Sequence, residues 1–143
     1  MALIDLVDET FVVAAPADVA AVVHDPARWA RWWPDLALTV FMDRGDAGIR
    51  WSVAGPWLGS CEVWLEPYGD GVVLHHYLRV DPAPATTRAP NRPHQVARLR
   101  ARRAQDWKRH AWALKDELER GRPAGEDRVP PAVKDGLEGV EAG

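Results

Sequence analysis

The chain of 143 residues has little cysteine, few aromatic residues other than tryptophan, and no long apolar segment. Cys61 is the sole cysteine, which excludes an intrachain disulfide. No run approaches the roughly 20 apolar residues of a membrane-spanning helix. The first residues, MALIDLVDET, carry acids where a secretory signal would carry bases. We therefore expect no export signal and a cytoplasmic protein.

Tryptophan is the abundant aromatic residue, with 8 copies against 2 Tyr and 2 Phe. Three of them fall at spacing i, i+3, i+4 in DPARWARWWPDL, residues 25–36. Asp25 suits a helix N-cap, Pro26 suits the first helical turn, and Pro34 ends the helix, which predicts a short helix over 26–33. The spacing aims the three rings to one side. We interpret them as a wedge between this helix and a sheet, with ligand contact as the alternative.

Alternating apolar residues predict five strands in an antiparallel sheet with one buried face. The first strand, 3–13, offers two frames. We favour the frame that turns Val7, Glu9, Phe11 and Val13 inward, because it is more apolar, with Glu9 as its misfit. The other four strands are expected to bury Leu36, Leu38, Val40 and Met42; Ile49, Trp51 and Val53; Cys61, Val63 and Leu65; and Leu74, His76, Leu78 and Val80.

The C-terminal part of the chain begins with a proline-rich connector, residues 81–93. Residues 95–120 then predict one long helix, because apolar side chains recur every three or four positions and only Arg103 interrupts them. That stripe comprises Val96, Leu99, Arg103, Trp107, Ala111, Leu114 and Leu118. Residues 122–143 are rich in Gly, Pro and charge and predict a disordered tail, so we expect a single domain over 1–121.

The element order, a strand, two short helices, four strands and a long helix, resembles the helix-grip fold of the START-like (SRPBCC) superfamily. The resemblance rests on VDETFVVAAPADVAAVVHDPARWARWWPDL and WALKDELERGRPAG, covers roughly residues 4–125, and is nearest to the bacterial polyketide cyclase/dehydrase-like members. It implies an α+β fold in which a curved antiparallel sheet wraps the C-terminal helix around an apolar cavity for lipid- or polyketide-like molecules. Six or seven strands are usual there, and one hairpin is missing between Trp51 and Cys61.

The resemblance also implies that the first and last strands are neighbours, which would let Glu9 and His76 face one another inside the cavity. Such a pair could orient a polar group of a ligand, or serve as the acid/base couple of a cyclase- or dehydratase-like enzyme. If the frame is off by one residue, Glu9 faces water instead. The side chains expected at the ligand are Glu9, Trp33, Trp51, Cys61, Val63, His76, Leu78, Trp107, Ala111 and Leu114.

A local basic block lies at residues 92–110, which carry seven Lys or Arg and one Asp. One interpretation is a solvated face that pairs with acidic residues of the sheet. The other is a patch for an anionic partner, such as a lipid headgroup, nucleic acid or an acidic protein. The candidate patch residues are Arg98, Arg100, Arg102, Arg103, Lys108 and Arg109.

Motifs of well-known enzyme classes are missing from the chain. There is no Gly-x-Ser-x-Gly elbow and no phosphate-binding glycine loop. His75 and His76 cannot share a metal ion, because adjacent strand residues point to opposite faces. We therefore expect no cofactor and no metal. The leading hypothesis is binding of a hydrophobic small molecule, and the second is an interaction module with a filled core that acts through its basic helix.

Overall fold

The computed structural model of the protein describes residues 2–84 and 91–120. The elements are β1 (Ile4–Val12), α1 (Pro16–Val23), α2 (Pro26–Trp32), β2 (Ala37–Asp43), a 3-10 turn (Gly45–Ala47), β3 (Gly48–Ala54), β4 (Trp57–Tyr68), β5 (Gly71–Pro82) and α3 (Pro93–Leu118). The predicted order of strands and helices is confirmed. Part of the predicted connector, residues 85–90, and the predicted tail lie outside the described residues.

Each of the three α-helices begins with a proline in its first turn. The missing N–H of proline costs nothing there, because the first N–H groups of a helix have no partner within the helix. The Asp25 side chain caps α2 as predicted, with its Oδ1 accepting a hydrogen bond from the Ala27 N–H at 3.0 Å. α3 starts two residues before the predicted position 95 because Pro93 is already helical.

The five strands form one antiparallel sheet in the order β1-β5-β4-β3-β2. A tight turn at Gly55 and Pro56 joins β3 directly to β4, with no further strand between them. The count of five strands is therefore as predicted. α3 packs against β1 and contacts α2, while α1 packs on β3, β4 and β5. The apolar residues predicted to face inward from β3, β4 and β5 are all buried, which confirms the frames of these three strands.

β1 turns the opposite frame inward from the one we predicted. Val7 is 58% exposed and Phe11 is also exposed, whereas Ile4 and Val12 are buried. The inward set therefore includes Asp8 and excludes Glu9, so the predicted frame is wrong. Hydrophobicity alone favours the frame that contains Glu9, because the frame that faces inward carries more polar groups.

Those inward polar groups are bonded to the long helix. The Asp8 carboxylate accepts hydrogen bonds from Trp107 Nε1 and from Lys108 Nζ, each at 3.1 Å. Lys108 Nζ also donates to the hydroxyl of Thr10 at 3.0 Å. A buried polar group that finds such partners loses most of its desolvation penalty. This network joins β1 to α3.

β2 departs from its predicted burial. Leu36, just before the strand, is buried and Leu38 is half-buried, but Val40 and Met42 are exposed. β2 is an edge strand, and its pairing with β3 shifts register between Val40 and Met42. The prediction of one apolar face over the whole strand is therefore wrong for its second half, because an edge strand has a neighbour on one side only and leaves these side chains uncovered.

Gly48 supplies a test of the β3–β4 pairing. Its φ is 121°, and a Cβ at this position would lie 2.1 Å from the carbonyl oxygen of Val63. We expect Gly48→Ala to lower the free energy of unfolding by about 2 kcal/mol in urea titrations. Gly45→Ala is the matched control, because Gly45 also has positive φ but open space around it, and should cost about 1 kcal/mol. Equal losses would contradict the close approach.

Candidate ligand-binding pocket

A pocket of about 510 Å³ opens between α2, α3 and the inner face of the sheet. Its wall contains four indole rings, those of Trp32, Trp33, Trp57 and Trp107. Its other lining residues are Leu6, Leu78, Leu99, His76, Pro34, His110, four arginines (Arg31, Arg102, Arg103 and Arg109) and two aspartates (Asp35 and Asp106). The pocket therefore joins an aromatic interior to a charged rim.

Trp33 is the centre of the aromatic wall. Its ring centroid lies 5.5 Å from that of Trp32 and 5.2 Å from that of Trp51, both in edge contacts. It also stacks on Trp107 at 5.6 Å with an interplanar angle of 10°. Trp33 follows the last residue of α2, and Pro34 prevents the helix from continuing. The end of α2 thus places Trp33 where its ring belongs to the core and also lines the pocket.

His76 is fully buried beside this wall, 4.2 Å from the ring of Trp107 and 5.3 Å from that of Trp33. Its Nδ1 lies 3.1 Å from the carbonyl oxygen of Glu62. A carbonyl only accepts, so Nδ1 carries the proton. Burial lowers the pKa of His76 to about 4, against a smaller opposing effect of this hydrogen bond. The ring is therefore neutral at pH 7, and the Nε2 lone pair has no partner among the described residues.

The predicted pairing of Glu9 with His76 is wrong. The register places Asp8 opposite His76 and Glu9 opposite His75. The Glu9 side chain is 65% exposed, with its carboxylate 3.4 Å from Nδ1 of His75. Glu66 contacts Nε2 of the same ring at 2.8 Å. Adjacent strand residues alternate between faces, so Glu9 lies on the outer face of the sheet and His76 on the inner face.

Two solved structures are similar to this chain in fold. The solution structure of the Aha1 dimer from Colwellia psychrerythraea has a TM-score of 0.57 at 15% identity, over 84% of this chain and 99% of that one. The crystal structure of DR_A0006 from Deinococcus radiodurans has a TM-score of 0.58 at 13% identity, over 79% and 95%. The protein has the helix-grip fold. No family model and no curated protein match the chain.

The α+β helix-grip prediction is thus confirmed at the level of the fold. Membership of the polyketide cyclase/dehydrase-like group stays a prediction, since identities of 13–15% establish no more than the fold. Within the described residues, no helix has both the length and the apolar character to cross a membrane. The same residues contain no group of three His, Cys, Asp or Glu that could hold a metal ion.

The helix-grip sheet brings four of the predicted ligand residues to the pocket and sends the others elsewhere. Those that line it are Trp33, His76, Leu78 and Trp107. Those that are buried without lining it are Trp51, Cys61, Val63, Ala111 and Leu114. Burial raises the pKa of the Cys61 thiol well above its ordinary value, which suits a core residue.

Several lining residues were missed by sequence reasoning. Trp57 was not among the residues expected at the ligand, but it is the first residue of β4 and its ring lies 5.7 Å from the guanidinium of Arg103. Leu6 belongs to the frame of β1 that we rejected. Leu99 belonged to the predicted apolar stripe of the long helix. That stripe was the sequence signal that could have identified Leu99 as a lining residue.

Four of the six residues of the predicted basic patch contact other residues of the chain, mostly at its surface. Arg103 forms two hydrogen bonds to the Asp35 carboxylate at 3.0 and 2.5 Å. Arg109 bonds Asp106 at 2.8 Å. Lys108 forms an ion pair with Asp8, and Arg100 donates a hydrogen bond to the carbonyl oxygen of Leu3. Arg98 and Arg102 form no ion pair with any residue that the structure describes. Binding of an anionic partner stays a prediction.

Proposed function

We propose that the protein binds a small hydrophobic molecule, with a ring system rather than a flexible chain, in the pocket between α2, α3 and the sheet. The observation that carries this proposal is the wall of four indole rings around a volume of about 510 Å³. Pockets for small ligands commonly have volumes of 300–1,000 Å³ and combine apolar walls with a few polar groups.

Ring stacking favours the cyclic ligand. Trp33 and Trp107 lie nearly parallel, and Trp32 stands almost perpendicular to both. A planar ligand entering beside them finds both faces and edges of indole rings, and aromatic pairs in these geometries gain about 0.5–1.5 kcal/mol beyond their area burial. A polyketide-like ring system matches this wall better than an acyl chain, which offers no flat surface.

Two other functions have less support. An interaction module with a filled core would leave no such pocket, and four of the six basic residues it would use already contact other residues of the chain. A cyclase- or dehydratase-like reaction would need an acid/base couple, but Glu9 lies on the opposite face of the sheet from His76. Binding without a chemical step is therefore the function we propose.

Calorimetric titration with 2-naphthoic acid tests this proposal. We expect saturable binding with a Kd on the order of 0.1 mM, from roughly 0.4 kcal/mol per heavy atom. Leu99→Trp should weaken binding roughly tenfold, because the larger ring occupies part of the pocket. The matched control is Leu58→Trp, since Leu58 is exposed on β4 and does not line the pocket.

The surface alternative makes the opposite prediction. Binding to anionic vesicles that is lost at high salt and unchanged by Leu99→Trp, together with no binding of 2-naphthoic acid, would contradict the pocket proposal. Equal affinities of Leu99→Trp and Leu58→Trp for 2-naphthoic acid would also contradict the pocket proposal, because the pocket would then not be the binding site.

A further inference from the structure

The mouth of the pocket is formed by charged side chains from two helices. Arg31 belongs to the last turn of α2, and Arg102 and Arg109 lie two turns apart on α3. All three are exposed to solvent, whereas the rings of Trp33 and Trp107 in the same pocket are buried. A ligand whose ring lies against the indoles therefore leaves its outer end beside guanidinium groups.

Two of the arginines at this mouth are available to a ligand. Of the four in the pocket wall, Arg103 and Arg109 each bond an aspartate that also lines the pocket. The other two, Arg31 and Arg102, form no ion pair within residues 2–84 and 91–120. A guanidinium group presents its N–H donors in a planar fork that matches the two oxygens of a carboxylate. The chemistry of the mouth therefore suits an anionic group.

His110 shows that the charges of the two helices reach the same part of the mouth. This residue is half-buried and lines the pocket. Its pKa is lowered mainly by burial and next by the positive charge of Arg109, while Asp106 raises it and Arg31 on the other helix lowers it further. The imidazole is therefore largely neutral at pH 7, and the positive charge around it comes from the arginines.

We propose that the ligand is an aromatic carboxylic acid in its ionised form, whose ring lies against the indoles and whose carboxylate lies at the mouth, where Arg31 and Arg102 hold it. This inference rests on the proposed function, because it names the ligand class of the same pocket. At the open end the carboxylate keeps part of its hydration, so its desolvation costs little. A cationic group at the same place would be repelled by the unpaired arginines.

Three probes with the same ring system separate charge from aromatic burial. At pH 7, 2-naphthoic acid is an anion, 2-naphthamide is its neutral counterpart and 2-naphthylmethylamine is a cation. By calorimetry at low salt, we expect the acid to bind about fivefold more tightly than the amide, the upper size of an exposed ion pair, and the amine to bind most weakly. At high salt the acid and the amide should bind equally, because screening removes exposed charge contacts.

Variants assign the preference for the acid to its residues. Arg31→Gln and Arg102→Gln should each reduce the acid-to-amide preference about twofold, and the double variant should abolish it. Arg102→Glu should reverse the order of the acid and the amine. Both arginines are exposed, so these changes leave the core contacts intact. The matched control is Arg92→Gln, since Arg92 is exposed at the start of α3 but does not line the pocket, and it should leave the preference unchanged.

The unmodified protein gives an independent measurement. When 2-naphthoic acid is bound, the pKa of His110, followed by NMR of its ring C–H groups, should rise because the carboxylate offsets the charges of Arg109 and Arg31. The amide should not raise it. Equal affinities for the acid and the amide, a preference that survives the double variant, or a pKa of His110 that the acid does not raise would overturn this inference while leaving the pocket function standing. Absence of binding by all three probes would overturn both.

Discussion

Replacement of Trp33 by alanine is expected to lower the free energy of unfolding by about 3–5 kcal/mol, the range for large aromatic side chains removed from a core. Trp33 is 4% exposed and contacts the rings of Trp32, Trp51 and Trp107. Each of these aromatic pairs contributes about 0.5–1.5 kcal/mol beyond area burial, and the pocket next to the site limits how far the surroundings can collapse. Urea unfolding followed by far-UV circular dichroism measures the change.

Trp112→Ala is the matched control for this prediction. Trp112 lies on α3 and is 58% exposed, so its removal should change stability by no more than about 0.5 kcal/mol. A loss below about 1 kcal/mol for Trp33→Ala would contradict the central position of this ring. The dependence of unfolding on urea should have the same slope in both variants, which shows that the folded states bury similar surface.

Acidification should destabilise the protein through His76. The pKa of this group is 6.5 in its ordinary state and about 4 in the fold, because burial penalises the charged ring. The unfolded chain therefore binds more protons between these two values. The associated stability is fully present above pH 6.5 and is lost as the pH falls towards 4, and it amounts to about 3 kcal/mol.

The comparison with His76→Phe isolates this contribution. Carboxylates such as Glu117, whose pKa is lowered mainly by its hydrogen bond with Arg28, also lose stabilising contacts in acid. These losses are common to both proteins and cancel in the difference. Between pH 7 and pH 4, the wild type should lose about 3 kcal/mol more than the variant in urea titrations. Parallel pH curves would contradict a neutral buried imidazole.

Local patterns were sufficient to predict most of the elements. Pro16 and Pro26 mark the starts of α1 and α2, and the alternation around Trp51 and Leu78 gives the buried faces of β3 and β5. These signals are short-range, because a proline limits its own backbone and a strand must bury one of its two faces.

Prediction was less successful where a polar side chain finds its partner far along the chain. Asp8 faces inward because Trp107 and Lys108 bond it across about 100 residues of sequence. Arg103 interrupts the apolar stripe of α3 because Asp35 receives its guanidinium. Without these partners, hydrophobicity favours the wrong frame of β1 and brings Glu9 to His76.

The sequence by itself determined the order of the elements, the five strands and the crowding of tryptophans between Asp25 and Pro34, since each follows from backbone limits or from local periodicity. The tertiary structure alone decided which of the apolar residues surround a pocket and which fill the core. It also separated Glu9 from His76 and left Nε2 of His76 without a partner among the residues that the structure describes. The reason is physical: a pocket is bounded by side chains from β1, β4, β5, α2 and α3, and their mutual distances depend on long-range packing that no local pattern contains.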